Sequence, residues 1–217
     1  MKFAVLGTGN VGRTLAGKLV ALGHEVTMGS RSADNAEAVA WAAQAGPSAA
    51  VATLADASAA GAVILNATMG LASLQALEAA GAANLDGKIL IDVANALDFS
   101  NGFPPSLGVV NTDSLGEQIQ RAYPGARVVK TFNTMPAALM VEPSLVPGHH
   151  SVFLSGNDAG AKAEVAGLLG TFGWPAEDIL DLGDITTARG VEMYMPLWLR
   201  LFGAVGAPIF NIAIARG

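Results

Sequence analysis

Six residues near the start of the chain, Gly7-Thr8-Gly9-Asn10-Val11-Gly12, restrict its fold more than any other feature. They follow the apolar run Phe3-Ala4-Val5-Leu6 and open a segment in which Leu15, Leu19 and Leu22 recur at helical spacing. Gly23-His24 then turns the chain into Glu25-Val26-Thr27-Met28. The order is strand, glycine turn, helix, strand, which is the layout of a dinucleotide-binding βαβ unit. In such a unit Gly7 allows the tight turn, Gly9 lets the backbone approach a pyrophosphate, and Gly12 lets the helix pack closely on the strand. The anion rests on unpaired N–H groups at the helix start, around Asn10 and Val11, where the helix dipole favours negative charge. Glycine turns also serve chains that bind nothing, so the flanking strand and helix carry this reading, not the glycines alone.

The end of the second strand bears on which dinucleotide is taken. An NAD site normally places an acidic residue here to hold the ribose 2′-OH, whereas an NADP site removes that charge and offers a cation to the 2′-phosphate. This chain reads Met28-Gly29-Ser30-Arg31-Ser32, with no carboxylate and an arginine between two hydroxyls. The planar fork of Arg31 suits a phosphate, and Thr8 in the glycine turn can add a hydroxyl. The competing reading of Arg31 is a solvated loop residue.

Strand and helix patterns alternate through the next hundred residues or so, with a buried strand marked by its apolar run at Ala62–Ala67 and further strands at Lys88–Val93 and Arg127–Phe132. Repeated units of this length imply an α/β fold of Rossmann type, a doubly wound parallel sheet. The expected division is an NADP-binding domain over residues 1–135 and a smaller α/β extension over 136–217 that closes the cleft. Ligands on such sheets bind beyond the carboxyl ends of the strands. Those ends carry Asn66-Ala67-Thr68-Met69, Asp92-Val93-Ala94-Asn95 and Asn133-Thr134-Met135, whose amides, hydroxyls and thioethers suit a ribose and a nicotinamide. A polar residue bonding its own turn is the bland alternative at each position.

The last third is expected to hold a strand at Ser151–Gly156, a helix from Asp158 to Phe172, a strand at Asp178–Leu182, and a final helix from Thr187 to about Val205. That last helix is apolar almost all round, so it should be buried on every side or lie at a subunit interface, giving a homodimer. Pro196 should kink it. Arg189 and Glu192, three apart, can pair with each other, or Arg189 can face the cleft.

Composition excludes several other chemistries. There is no cysteine, which removes disulfides, thiol catalysis and cysteine-ligated metals and fits a reducing compartment. Only four apolar residues precede the glycine turn, too few for a signal peptide, so a soluble cytoplasmic protein is expected. A net charge of −6 disfavours nucleic acid or an anionic membrane, and any phosphate site must be locally basic. His149-His150 sits in a Pro147-Gly148 loop and reads as solvated; no metal site is expected. His24 reads as structural. Lys130 and Asn133 have the spacing of the lysine and asparagine of 3-hydroxyacid dehydrogenases, but here the lysine falls on a strand-like run.

The segments GTGNVGRTLAGKLVALGHEVTMGSR, KTFNTM, VFLSGND and DLGDITTARGVEMYMPLWL together resemble the coenzyme F420-dependent NADP oxidoreductase family over nearly the whole chain. The resemblance implies NADP(H) on the Rossmann unit, with Thr8, Ser30 and Arg31 at the 2′-phosphate. It implies a deazaflavin stacked on the nicotinamide near Asn133, Arg189 and Met193, with Asn133 and Arg189 the candidate catalytic residues. Asn133 stands where archaeal members carry histidine, so a related flavin, a quinone or a small carbonyl compound stays open as acceptor. Hydride transfer between two flat rings asks mainly for orientation. A carbonyl or imine reductase would need a proton donor, for which Lys130 or Tyr194 are the candidates. The remaining alternative is a non-catalytic NADP-binding sensor.

Overall fold

The computed structural model describes residues 1–215. Six parallel strands form the central sheet: β1 (Lys2–Leu6), β2 (Glu25–Ser30), β3 (Ala49–Thr53), β4 (Val63–Asn66), β5 (Ile89–Asp92) and, after a short antiparallel pair β6 (Leu97–Asp98) and β7 (Ser106–Leu107), β8 (Arg127–Lys130). The helices between them are α1 (Asn10–Ala21), α2 (Ala36–Ala45), α3 (Leu54–Ala60), α4 (Ser73–Ala80), α5 (Ala82–Leu85) and α6 (Leu115–Ala122). The strand order is β3-β2-β1-β4-β5-β8, so the chain leaves β1 in one direction and returns beside it as β4. That reversal opens a crevice at the carboxyl end of β1, where the glycine turn lies.

Local signals place the helices where the sequence expects them. Asn35, Thr53, Ser114 and Asp158 each cap a helix, their side-chain oxygens accepting backbone N–H bonds from three residues on. Alternation along the strands builds two cores. Phe3, Val5 and Leu65 face one layer with Leu15 and Trp41, while Ala4, Leu6 and Ile64 face the other with Leu77 and Ile119.

The C-terminal part adds α7 (Ala137–Val141), β9 (Val152–Leu154), α8 (Ala159–Phe172), β10 (Ile179–Asp181), α9 (Ala188–Met193) and α10 (Met195–Val205). β9 pairs in parallel with β10, and a single antiparallel bridge, Lys130 to Ser155, joins this pair to the edge of the main sheet. Val152, Leu154, Val165 and Phe172 belong to the same buried cluster as Val5 and Leu15, so one core runs through both parts of the chain.

The final apolar stretch is two helices, not one, because the chain breaks at Tyr194 between α9 and α10, just before Pro196 occupies an early position of the second helix, where its missing N–H costs nothing. Of the two placements expected for this stretch, burial on every side does not hold within the chain: Leu197 and Val205 are each 55% exposed and Met195 alone of α10 is buried. The pairing of Arg189 with Glu192 is also absent, for reasons that belong to the site.

Candidate functional site

The glycine turn is shaped by close backbone approach. Gly7 holds φ +115°, and a Cβ there would stand 2.4 Å from the Ala67 carbonyl oxygen, while one on Gly12 would stand 2.1 Å from the Gly7 carbonyl oxygen. Neither position has room for a side chain. Around Gly9, by contrast, no atom lies within 4 Å of where a Cβ would be. Gly9 is the N-cap of α1 with no side-chain cap, and no acidic residue stands in the first turn. The helix start is therefore open, uncapped and free of competing carboxylates, which fits a pyrophosphate. Ser30 and Arg31 follow at the end of β2, where the Gly7 N–H donates to the Gly29 carbonyl at 3.0 Å and ties the two segments together. Ser30 is buried and its hydroxyl donates to the Ser32 carbonyl. Arg31 is exposed and makes no ion pair among the described residues. These groups fit a 2′-phosphorylated dinucleotide.

Beside the turn lies a cleft of about 760 Å³ counting its open mouth. Val11, Ala67, Thr68 and Met69 form one wall, Ala94, Asn95 and Asn133 the floor, and Met135, Met140, Met195 and Trp198 the facing side. Among the described residues no ionisable side chain lines it. A lining that is mostly apolar with a few convergent amides suits a flat ring system.

Asn133 is held in one orientation. Its Nδ2 donates to Asn95 Oδ1 at 3.0 Å and to the Val191 carbonyl at 3.0 Å, and Asn95 Nδ2 donates back to the Asn133 carbonyl at 2.8 Å. Both amide hydrogens are used, so Oδ1 is the atom left to meet a ligand. The preceding Phe132 adopts φ +62°, a left-handed conformation that costs a bulky residue about 1–3 kcal/mol. Its ring is buried and stacks on Phe172 at 6.1 Å, which holds the strained turn in place.

Behind the floor runs a buried polar chain. Thr68 Oγ1 donates to Asn66 Oδ1 at 2.7 Å, and Asn66 Nδ2 donates to Asp92 Oδ1 at 2.8 Å. Asp92 Oδ2 and Glu192 Oε1 grip Lys130 Nζ at 2.8 and 2.9 Å, and Nζ also donates to the Ala94 carbonyl. Glu192 in turn accepts the backbone N–H groups of Leu115 (2.8 Å) and Gly116 (3.1 Å) at the start of α6. Burial alone would lower the Lys130 pKa, but Asp92 and Glu192 outweigh it and hold it above the usual lysine range. Lys130 is thus a buried cation, not a proton donor facing the cleft.

The structure gathers Val11, Ala67, Thr68, Met69, Ala94, Asn95 and Asn133 around one cleft, with Asn66 directly beneath. It does not bring Arg189 there. The Arg189 Nε and Nη2 donate to Glu117 on α6 at 2.8 and 2.5 Å, because Glu192, its neighbour in sequence, is turned inward to Lys130. That guanidinium holds the Glu117 carboxyl below the usual carboxylate range. Met193 does not line the cleft either: its sulfur accepts the Asn111 N–H at 3.3 Å. Tyr194 also lies off the lining, and burial raises its pKa. The facing wall of Met195 and Trp198 was not expected from the sequence. Its one signal was the aromatic residue on an apolar helix, and Trp198 is stacked between Phe202 (5.7 Å) and Phe210 (5.4 Å).

His149 is exposed as expected, though Asp178 stands 3.2 Å from its Nδ1. His150 is instead buried, with Nε2 at 3.0 Å from the Pro143 carbonyl and its ring edge on Trp174. Among the described residues no group of three or more His, Cys, Asp or Glu could hold a metal. His24 packs on Phe3 with ring centroids 5.0 Å apart. Among the described residues no helix is long and apolar enough to cross a membrane.

Residues 2–96 match the family model described as NADP oxidoreductase, coenzyme F420-dependent. Over its whole length the chain is 58% identical to a crystal structure titled as a candidate F420-dependent NADP-reductase from Arthrobacter sp. FB24, covering all of both chains with a TM-score of 0.95. An imine reductase from Aspergillus terreus is 20% identical, with 94% of this chain and 62% of that one aligned at a TM-score of 0.67, which is a likeness of fold. Metalloreductase STEAP3 of Rattus norvegicus is 28% identical over 202 residues, which are 91% of this chain. The chain spans only 38% of the length of that relative.

Proposed function

Because the chain belongs to the coenzyme F420-dependent NADP oxidoreductase family, and so is an NADP-dependent oxidoreductase, we propose that it passes a hydride between NADP(H) and coenzyme F420 or a related flavin. The observation that carries this reading is the cleft: apolar, open to the glycine turn, and without an ionisable side chain in its lining among the described residues. Reduction of a ketone asks for a proton donor beside the reacting carbon. Transfer between two rings asks instead that they be stacked about 3 to 3.5 Å apart with water kept away. Lys130 is locked between Asp92 and Glu192, and Tyr194 is off the lining, so neither supports a carbonyl or imine reductase.

NADP(H), when bound, supplies the hydride from its nicotinamide. The chain's own residues do the holding. The open start of α1 takes the pyrophosphate, and Thr8, Ser30 and Arg31 take the 2′-phosphate. Asn133, fixed by Asn95 and Val191, offers Oδ1 to an N–H donor on a ring edge. Met195 and Trp198 cover the second ring and exclude water. The exposed apolar side chains of α10, Leu197 and Val205, with Ile209 and Ile214 beyond them, support a homodimer formed through this face in a cytoplasmic protein.

The test is an anaerobic assay in which NADPH is mixed with oxidised F420, with a free flavin, and with a panel of ketones and imines. Equimolar loss of NADPH and of F420 or flavin absorbance is expected, with no turnover of the panel. Turnover of a ketone or imine without reduction of F420 or flavin would overturn the reading.

A further inference from the structure

Arg13 stands one residue past the glycine turn, on the first turn of α1. Its Nη1 donates to the Thr8 carbonyl at 2.9 Å and to Glu37 Oε2 at 2.5 Å. The side chain therefore spans from the glycine turn to the first turn of α2, the two segments that flank the end of β2. Thr8 lies in that turn, and Ser30 and Arg31 lie at the end of β2 between the two segments. Charge around them is short on the positive side. Arg31 is the one cation at the end of β2, while Asp34, which accepts from the Ser32 hydroxyl, and Glu37 add two carboxylates just beyond it. A phosphomonoester carries about −1.5 to −2 charge at neutral pH, more than the single charge of Arg31 balances.

We propose that Arg13 is a second phosphate-reading residue, a specificity-determining cation that leaves Glu37 and turns to the 2′-phosphate of NADP(H) when the dinucleotide binds. The proposal rests on the NADP reading above. The exchange favours the phosphate. The Arg13–Glu37 pair has side-chain exposures of 37% and 62%, and an ion pair so open to water holds weakly. A guanidinium on a phosphate dianion forms parallel charge-assisted bonds and is the stronger contact. The bond to the Thr8 carbonyl keeps the side chain next to the turn. Glu37 is the resting partner, and it disfavours the phosphate wherever Arg13 is missing.

Calorimetric titration of NADPH and NADH into the wild-type chain, Arg13→Gln, Glu37→Gln and Arg31→Ala tests this. Arg13→Gln should weaken NADPH by about tenfold or more and leave NADH unchanged, and it should flatten the salt dependence of NADPH binding. Glu37→Gln should tighten NADPH and leave NADH unchanged. Equal loss of both dinucleotides in Arg13→Gln, or an unaltered NADPH-to-NADH ratio in both the Arg13 and Glu37 variants, overturns the proposal while the Arg31→Ala result still supports the NADP site. A wild-type chain that binds both dinucleotides alike, or an Arg31→Ala variant that keeps the NADPH preference, overturns the NADP reading itself.

Discussion

Replacing Lys130 with methionine should be among the most damaging single changes behind the cleft. The side chain is fully buried and neutralises Asp92 and Glu192 at 2.8 and 2.9 Å. Methionine fills much the same volume, so the cost is that of orphaned charge and not of a cavity. Removing one partner from a buried ion pair costs about 3–5 kcal/mol. Each carboxylate keeps two other donors, Asn66 and the Ala94 N–H for Asp92, and the Leu115 and Gly116 N–H groups for Glu192. The loss should therefore fall near the lower end, about 3 kcal/mol, a large part of a typical total of about 5–15 kcal/mol. In urea, with a slope of about 2 kcal/mol/M, the midpoint should drop by about 1.5 M.

The pH dependence has a definite sign. The folded pKa of Lys130 is raised above its ordinary value of 10.5, so its contribution is fully present below that value and is lost only as pH rises through the folded pKa. The gap between wild type and variant should stay flat from pH 6 to 9. Adding Asp92→Asn should restore part of the stability, because both Asn66 and the Ala94 N–H donate to Oδ1, which asparagine keeps, while the charge facing the vacated side disappears. A midpoint shift under about 0.5 M with an unchanged slope, or a double variant weaker than the single one, would refute this account of the triad.

Two further outcomes are expected. Gly12→Ala puts a Cβ 2.1 Å from the Gly7 carbonyl oxygen, so the turn must open; NADPH affinity should fall by about a hundredfold or more, and retained affinity in a titration would show that the turn is not the dinucleotide site. Arg189→Met removes the guanidinium that depresses the Glu117 carboxyl. A depressed carboxylate adds stability above its unfolded pKa, ordinarily 4.5 for a glutamate, and loses it as pH falls through the folded value. The variant's deficit in thermal melts should therefore be largest near neutral pH and shrink in acid, and a deficit that grew on acidification would contradict the pairing.

The sequence by itself determined the βαβ start, the alternation of strands and helices, the helix that begins at Asp158, and the strand ends that carry Thr68, Asn95 and Asn133. These follow from signals that act over a few residues: the period of a helix or strand, a side-chain oxygen three residues from an N–H, a glycine where no Cβ fits. Tertiary structure alone decided that Lys130 sits between Asp92 and Glu192, that Arg189 therefore turns to Glu117, and that Met195 and Trp198 wall the cleft while Met193 does not. Glu192 and Arg189 could pair on one helix, as their spacing allowed. A buried lysine and the open N–H groups of α6 offered the glutamate more than its exposed neighbour did, and that competition is settled only once distant segments have packed together.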